Sequence, residues 1–137
     1  MQGVIDYRLA KRAVLEDFRR GALDRMDICD AHPQLMRAAR NIGVKALGAC
    51  PVCGHEALRQ VQYVYGDQLK HLSGRPVYPE GWELALSRQV DEFRCYTIEV
   101  CVDCSWNHLA ACQLMGRRFK PAAPKAAGQR RRRTSSK

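Results

Sequence analysis

Two Cys-x-x-Cys pairs, CPVC at residues 50–53 and CVDC at residues 101–104, restrict what this chain can become more than any other feature. A pair at that spacing turns two thiolates toward one point. Two such turns complete the tetrahedral sulfur set that structural zinc prefers, at about 2.3 Å per bond. Pro51 helps to fix the first turn, and Gly54 lets the backbone reverse behind its second thiolate. The second turn carries Ser105 at the position of Gly54, a mild departure. The 47 residues between Cys53 and Cys101 form a wide gap, but a β-hairpin with an insertion brings its two tips together. Cys50, Cys53, Cys101 and Cys104 are therefore read as the ligands of one structural Zn²⁺.

Other uses of these residues fit less well. A redox pair of thioredoxin type wants a βαβ context, which the surrounding pattern lacks. A catalytic zinc keeps three protein ligands and an open position, whereas four cysteines close the site. His55 and His108 lie next to the tips and could substitute as ligands, but read first as neighbours of a complete set. Seven cysteines are an odd count, and nothing in the first residues reads as a signal peptide, so structural disulfides are not expected. Cys29 and His32 have ligand-like spacing without two further partners and read as a buried thiol and a helix start. Cys95 and Cys112 flank the second tip almost symmetrically, which suggests two neighbouring core thiols or a redox-sensitive pair. Asp27, Asp30 and His32 resemble an acid/base cluster but read as helix caps. No phosphate loop or nucleophile elbow is present, and an enzyme is not expected.

The elements around the tips follow from periodicity. Residues 6–20 read as an amphipathic helix with Asp6 as N-cap, a stripe of Tyr7, Ala10, Val14 and Phe18, and Gly21 as its stop. A helical turn follows near residues 24–29. A second helix spans about 30–43, with Pro33 in its first turn and Gly43 at its end. From Cys50 the period changes to two. Val61, Tyr63 and Tyr65 alternate with Gln60, Gln62 and Val64, and Tyr96, Ile98 and Val100 share one side of a second strand. A third strand follows over 108–115, and the 67–92 insertion holds a loop and a short helix over 82–93. The order of tip, strand, insertion, strand, tip and strand is that of a zinc ribbon. The expected fold is α+β: a helical cap over 1–49 packed on a three-stranded ribbon over 50–115, followed by a tail over 116–137.

The net charge of +9 sits in that tail. Residues 116–137 hold nine Lys/Arg and no Asp/Glu, leaving the remainder balanced at 14 against 14. Within the remainder, residues 50–115 carry five basic and eight acidic side chains, and zinc thiolates would add to the negative side. A ribbon of that sign would repel phosphate on balance. It suits a protein partner better, with Tyr63, Tyr65, Tyr96 and Trp106 as candidate anchors or simply as core aromatics. The tail, through Arg117, Arg118, Lys120, Lys125, Arg130, Arg131, Arg132 and Arg133, is expected to contact nucleic acid without sequence preference. It has too little apolar bulk to fold alone. Phosphates on Thr134, Ser135 or Ser136 would cancel part of its charge.

The segments DYRLAKRAVL, DICDAHPQLMRAA, CPVCG, YVYGDQL and CVDCSWNHL together resemble an actinobacterial zinc-ribbon family of unknown function, over about residues 4–115. The resemblance implies a cytoplasmic, metal-bound protein, with no functional residues to carry over beyond the four cysteines. The combined expectation is a non-enzymatic accessory factor that docks on a protein partner, RNA polymerase or the ribosome, and uses its tail on nucleic acid. No membrane contact is expected. The alternative is a protein–protein adaptor or regulator whose tail has no nucleic-acid role.

Overall fold

A computed structural model of the chain describes residues 4–119. Strands β1 (Val4–Asp6), β2 (Val44–Lys45), β3 (Leu58–Tyr65), β4 (Phe93–Cys101) and β5 (Asn107–Met115) form one antiparallel sheet in the order β1-β5-β4-β3-β2. Helices α1 (Arg8–Arg19), α2 (Arg25–Ile28) and α3 (Pro33–Ile42) lie between β1 and β2, and α4 (Trp82–Leu86) lies between β3 and β4. The fold is α+β, but the described sheet has five strands where three were expected. The N-terminal segment supplies both edges: Val4–Asp6 pairs with residues 111–113, and Val44 and Lys45 pair with Gln60 and Arg59. These edges are only three and two residues long and exposed throughout. The ladder places them, so no alternation of apolar residues marks them in the sequence.

The first helix starts later than its sequence suggests. Asp6 ends β1, and Tyr7 occupies the N-cap position without a side-chain cap, although the Asp6 carboxylate accepts from the Arg8 N–H at 2.8 Å. The buried stripe is also rotated by one position. Leu15 is buried while Val14 is exposed, and Tyr7, Lys11 and Phe18 are half-buried. Lys11 belongs to this stripe because its ammonium has a destination: it donates to Glu99 at 3.2 Å and lies 5.4 Å from the centre of the Trp106 ring. The helix stops as its glycine predicts. Gly21 takes a left-handed φ of 84°, and the Gly21 and Ala22 N–H groups bond to Phe18 and Asp17 carbonyls at 3.1 and 2.9 Å. α2 begins with a reciprocal capping box between Asp24 and Asp27, and α3 with Pro33 at its first position.

Residues opposite one another in an antiparallel ladder share a face. The pairs Leu58↔Cys101, Gln60↔Glu99 and Val64↔Cys95 put those residues on one side; Val61↔Ile98, Tyr63↔Tyr96 and Tyr65↔Arg94 occupy the other. At the cysteine end both sides are covered. α1 and α2 bring Leu15 and Ile28 onto Leu58, Cys101 and Trp106, while α3 lays Met36 and Ala39 on Val61 and Val100. At the far end the insertion covers the first side only, where Leu69, Val77 and Leu86 pack on Val64, Phe93, Cys95 and Met115.

After Met115 the chain reverses at Gly116, whose φ is 126° and where a Cβ would lie 2.3 Å from the Asp91 carbonyl oxygen. Only glycine fits. The Arg117 and Arg118 N–H groups then bond to the Val90 and Asp91 carbonyls at 2.9 and 3.0 Å. The folded chain therefore continues past residue 115.

Candidate metal centre

The two Cys-x-x-Cys segments fold as near copies of one turn. In the first, the Gly54 N–H bonds to the Cys50 carbonyl at 2.9 Å, and the Cys50 N–H to the His55 carbonyl at 2.8 Å. In the second, the Ser105 N–H bonds to the Cys101 carbonyl at 3.0 Å, and the Cys101 N–H to the Trp106 carbonyl at 2.8 Å. Gly54 and Ser105 both take left-handed conformations, with φ of 81° and 71°. The first tip leads into β3, and the second joins β4 to β5. Because β3 and β4 are adjacent, with Leu58 opposite Cys101, the two tips meet at one end of the sheet.

The four sulfurs converge there. Cys50 Sγ lies 3.7 Å from Cys104 Sγ, Cys53 Sγ lies 3.6 Å from Cys101 Sγ, and all four lie within 4.8 Å of one another. No pair is bonded as a disulfide. A regular tetrahedron with bonds of about 2.3 Å has sulfurs about 3.8 Å apart, so the donor set fits a tetrahedral thiolate-bound metal ion. The Val52 and Cys53 N–H groups approach Cys50 Sγ at 3.4 and 3.5 Å, which would support a thiolate there. Burial pushes the thiols of Cys50 and Cys101 up, and that of Cys104 up to about 12. At Cys53 burial also raises the value, but hydrogen bonds from the His55 N–H and neighbouring thiols outweigh it and the net shift is downward. Thiols packed this closely gain most from a cation among them.

A fifth thiol stands at the rim. Cys29 Sγ lies 3.7 Å from Cys104 Sγ. Desolvation lowers the pKa of the nearby Arg25 guanidinium, but the Cys29 and Cys104 thiols raise it overall. Cys29, expected as a buried thiol apart from the site, is instead half-buried beside it. His32 is spent elsewhere, its Nδ1 accepting from the Gln34 N–H at 3.0 Å as the cap of α3. Asp27 belongs to the α2 capping box, and Asp30 accepts from Asn107 Nδ2 at 3.1 Å. The acid/base cluster is therefore a set of caps and braces.

His55 and His108 stand outside the four-sulfur group. His55 Nδ1 lies 3.0 Å from Asp103, tying the first tip to the second, and His108 Nε2 lies 3.1 Å from Glu99. Glu99 consequently has its pKa lowered, first by His108 against the opposing effect of burial, and then by Lys11. Trp106 is a core residue at 1% exposure and cannot anchor a partner.

Cys95 and Cys112 are not a pair. Their symmetry about the tip would place them opposite each other, in line with Ile98↔Leu109 and Val100↔Asn107. A bulge between Thr97 and Ile98 inserts Ala110 and moves Cys112 opposite Tyr96, so the two thiols occupy opposite faces. The Ala110 carbonyl accepts from the Tyr7 N–H at 3.1 Å, which anchors the start of α1 at the bulge. Among the basic residues assigned to the tail, Arg117 and Arg118 pair with Asp91 and Glu92 at 3.0 and 2.7 Å. Lys120, Lys125 and Arg130 to Arg133, and the modification candidates Thr134, Ser135 and Ser136, lie outside the described residues.

The fold and site define a small α+β protein with a four-cysteine candidate metal centre and, among the described residues, no helix long and apolar enough to cross a membrane. The chain belongs to a family of unknown function (DUF5318), which it matches over residues 1–132. It is 37% identical over 120 residues to an uncharacterized protein of Mycobacterium bovis, Mb0050, with 88% of this chain and 86% of the relative covered. An uncharacterized protein of Mycobacterium tuberculosis, Rv0049, matches to the same extent. No solved structure gives a significant match.

Proposed function

We propose that this chain is a non-enzymatic zinc-ribbon binding protein, stapled by one structural Zn²⁺ on Cys50, Cys53, Cys101 and Cys104. In this reading it is an accessory factor of transcription or translation that docks on a protein partner and contacts nucleic acid through its basic C-terminal residues. The observation that carries the structural role is the closure of the four sulfurs at tetrahedral spacing. A fourth thiolate fills the position that a catalytic zinc leaves to water. The nucleic-acid part is supported by the basic side chains of 120–137, which hold seven Lys/Arg and no acid.

The test compares the full chain with one ending at Phe119, by fluorescence anisotropy on a labelled duplex across a salt series. If about six cations meet phosphates, the logarithmic salt slope is about −5 for the full chain and collapses in the shortened one. Equal, salt-insensitive behaviour of both would reject the nucleic-acid role and leave the adaptor reading.

A further inference from the structure

The charge of residues 50–115 is not spread evenly over the sheet. On the face that bears Tyr63, Tyr65 and Tyr96, the strand positions carry Arg59 and Arg94 and no carboxylate. α3, which covers the cysteine end of this face, contributes exposed Arg37 and Arg40 and likewise no acid. Glu99 lies on the opposite face, Asp103 is held by His55 on the tip, and Glu92 at the far margin is held by Arg118. The segment is acidic in sum and basic on this one side. Phosphate repulsion inferred from the sum does not apply here.

The same side is also open. α3 stops over Val61 and Val100, and the insertion packs on the reverse face, so among the described residues nothing covers the tyrosine half. A shallow depression of about 510 Å³ runs there between Tyr63, Tyr65, Arg94, Tyr96, Ile98 and Leu109. Tyr65 is 46% exposed and meets the Tyr96 ring edge-on at 5.5 Å, and Arg94 donates to the Tyr96 hydroxyl at 3.3 Å. Tyr63 and Tyr65 are two residues apart on one strand, about 7 Å along it.

We propose that this open face binds single-stranded nucleic acid, stacking successive bases on Tyr65, Tyr96 and Tyr63 while Arg94 and the arginines of α3 meet the backbone. Aromatic rings on a flat sheet stack bases of any sequence, and flanking cations track phosphates. The strand positions of the face carry no carboxylate, and of the acids Asp67, Asp91 and Glu92 beside Tyr65 and Arg94 at its margin the last two are paired with Arg117 and Arg118, which favours this polyanion over a basic peptide. The proposal deepens the nucleic-acid reading but separates from it experimentally: the tail binds duplex and single strand alike through phosphates, whereas a stacking face binds only unpaired bases.

The test uses the full-length chain with a fluorescein-labelled U₁₂ oligonucleotide and a duplex of equal length, by anisotropy at salt high enough to weaken the tail. Tyr65→Ala and Tyr96→Ala are each expected to weaken single-strand binding about tenfold, in line with the loss of one stacked base. Duplex binding should be unchanged, and Tyr65→Phe should retain affinity because it keeps the ring. Photo-crosslinking of wild type to a 5-iodouridine oligonucleotide is expected to label peptides holding Tyr63 to Tyr65 or Tyr96, a readout independent of whether a variant folds. Undiminished single-strand affinity in both Ala variants, or crosslinks confined to residues 120–137, would overturn the proposal and leave the face to a protein partner. Loss of duplex binding on shortening the chain to Phe119, with single-strand binding retained, is the outcome expected if tail and face act separately.

Discussion

The two ends of the sheet are closed by different physics. At the far end, Phe93, Val64 and Met115 are buried under Leu69, Val77 and Leu86, and the insertion that supplies those side chains does its work by apolar burial. At the cysteine end helices cover both faces of the sheet, and Leu15, Ile28, Leu58 and Trp106 surround four sulfurs whose convergence has no apolar equivalent. One end is held by packed side chains. At the other, burial favours the neutral form of Cys50, Cys101 and Cys104, and the proposed ion would draw the four thiols together. A small domain gains from such a staple because its core is limited by its size.

The largest effect separating the two ends is expected from Cys101→Ser. It removes one of the four clustered thiols, and the zinc proposed there would contribute on the order of 10 kcal/mol to folding, as structural zinc does in small domains. The variant should lose its metal and its cooperative thermal transition, read by elemental analysis and calorimetry. Phe93→Ala, at a site 1% exposed, should cost about 3–5 kcal/mol in denaturant unfolding and leave the metal content at wild-type stoichiometry. Loss of metal in that variant would show that the two ends are not separately held.

A smaller effect is expected from Glu99→Gln, between the two ends. The Glu99 pKa is lowered in the folded protein, so its stabilisation is fully present above the ordinary carboxylate range and is lost as pH falls through the folded value. Replacement should cost about 1–2 kcal/mol at neutral pH. The gap between wild type and variant should close on acidification, which urea unfolding of both proteins at each pH would record; comparing the pair cancels their shared loss of metal in acid. The smallest change is Ser105→Gly. Ser105 holds the left-handed conformation that Gly54 holds in the matching turn, at a cost of about 1 kcal/mol. The glycine should raise the melting midpoint slightly without altering metal binding.

Much of this contrast is legible in the sequence, and what is not has identifiable causes. Cys-x-x-Cys spacing specifies a turn, so the four sulfurs are readable; Gly21 with its left-handed φ and Pro33 with its fixed φ mark helix limits because their backbone preferences are local. The edge strands are too short to carry a period. The Ala110 bulge is a property of the ladder and leaves no mark of its own, yet it decides that Cys95 and Cys112 lie apart. Lys11 hides in the buried stripe of α1 because its partners, Glu99 and Trp106, come from the far side of the chain. Cys29 reaches the centre by the same kind of tertiary placement. The net charge of residues 50–115 hides a division by face that only the strand register sets.

The most direct test of the central claim is reconstitution of the purified full-length chain with Co²⁺, followed by absorption spectroscopy. Tetrahedral coordination by four thiolates predicts one Co²⁺ per chain, with intense visible ligand-field bands and sulfur-to-cobalt charge transfer in the near ultraviolet, displaced stoichiometrically by Zn²⁺. Weak octahedral bands without charge transfer, or no uptake by a fully reduced and folded chain, would contradict the account.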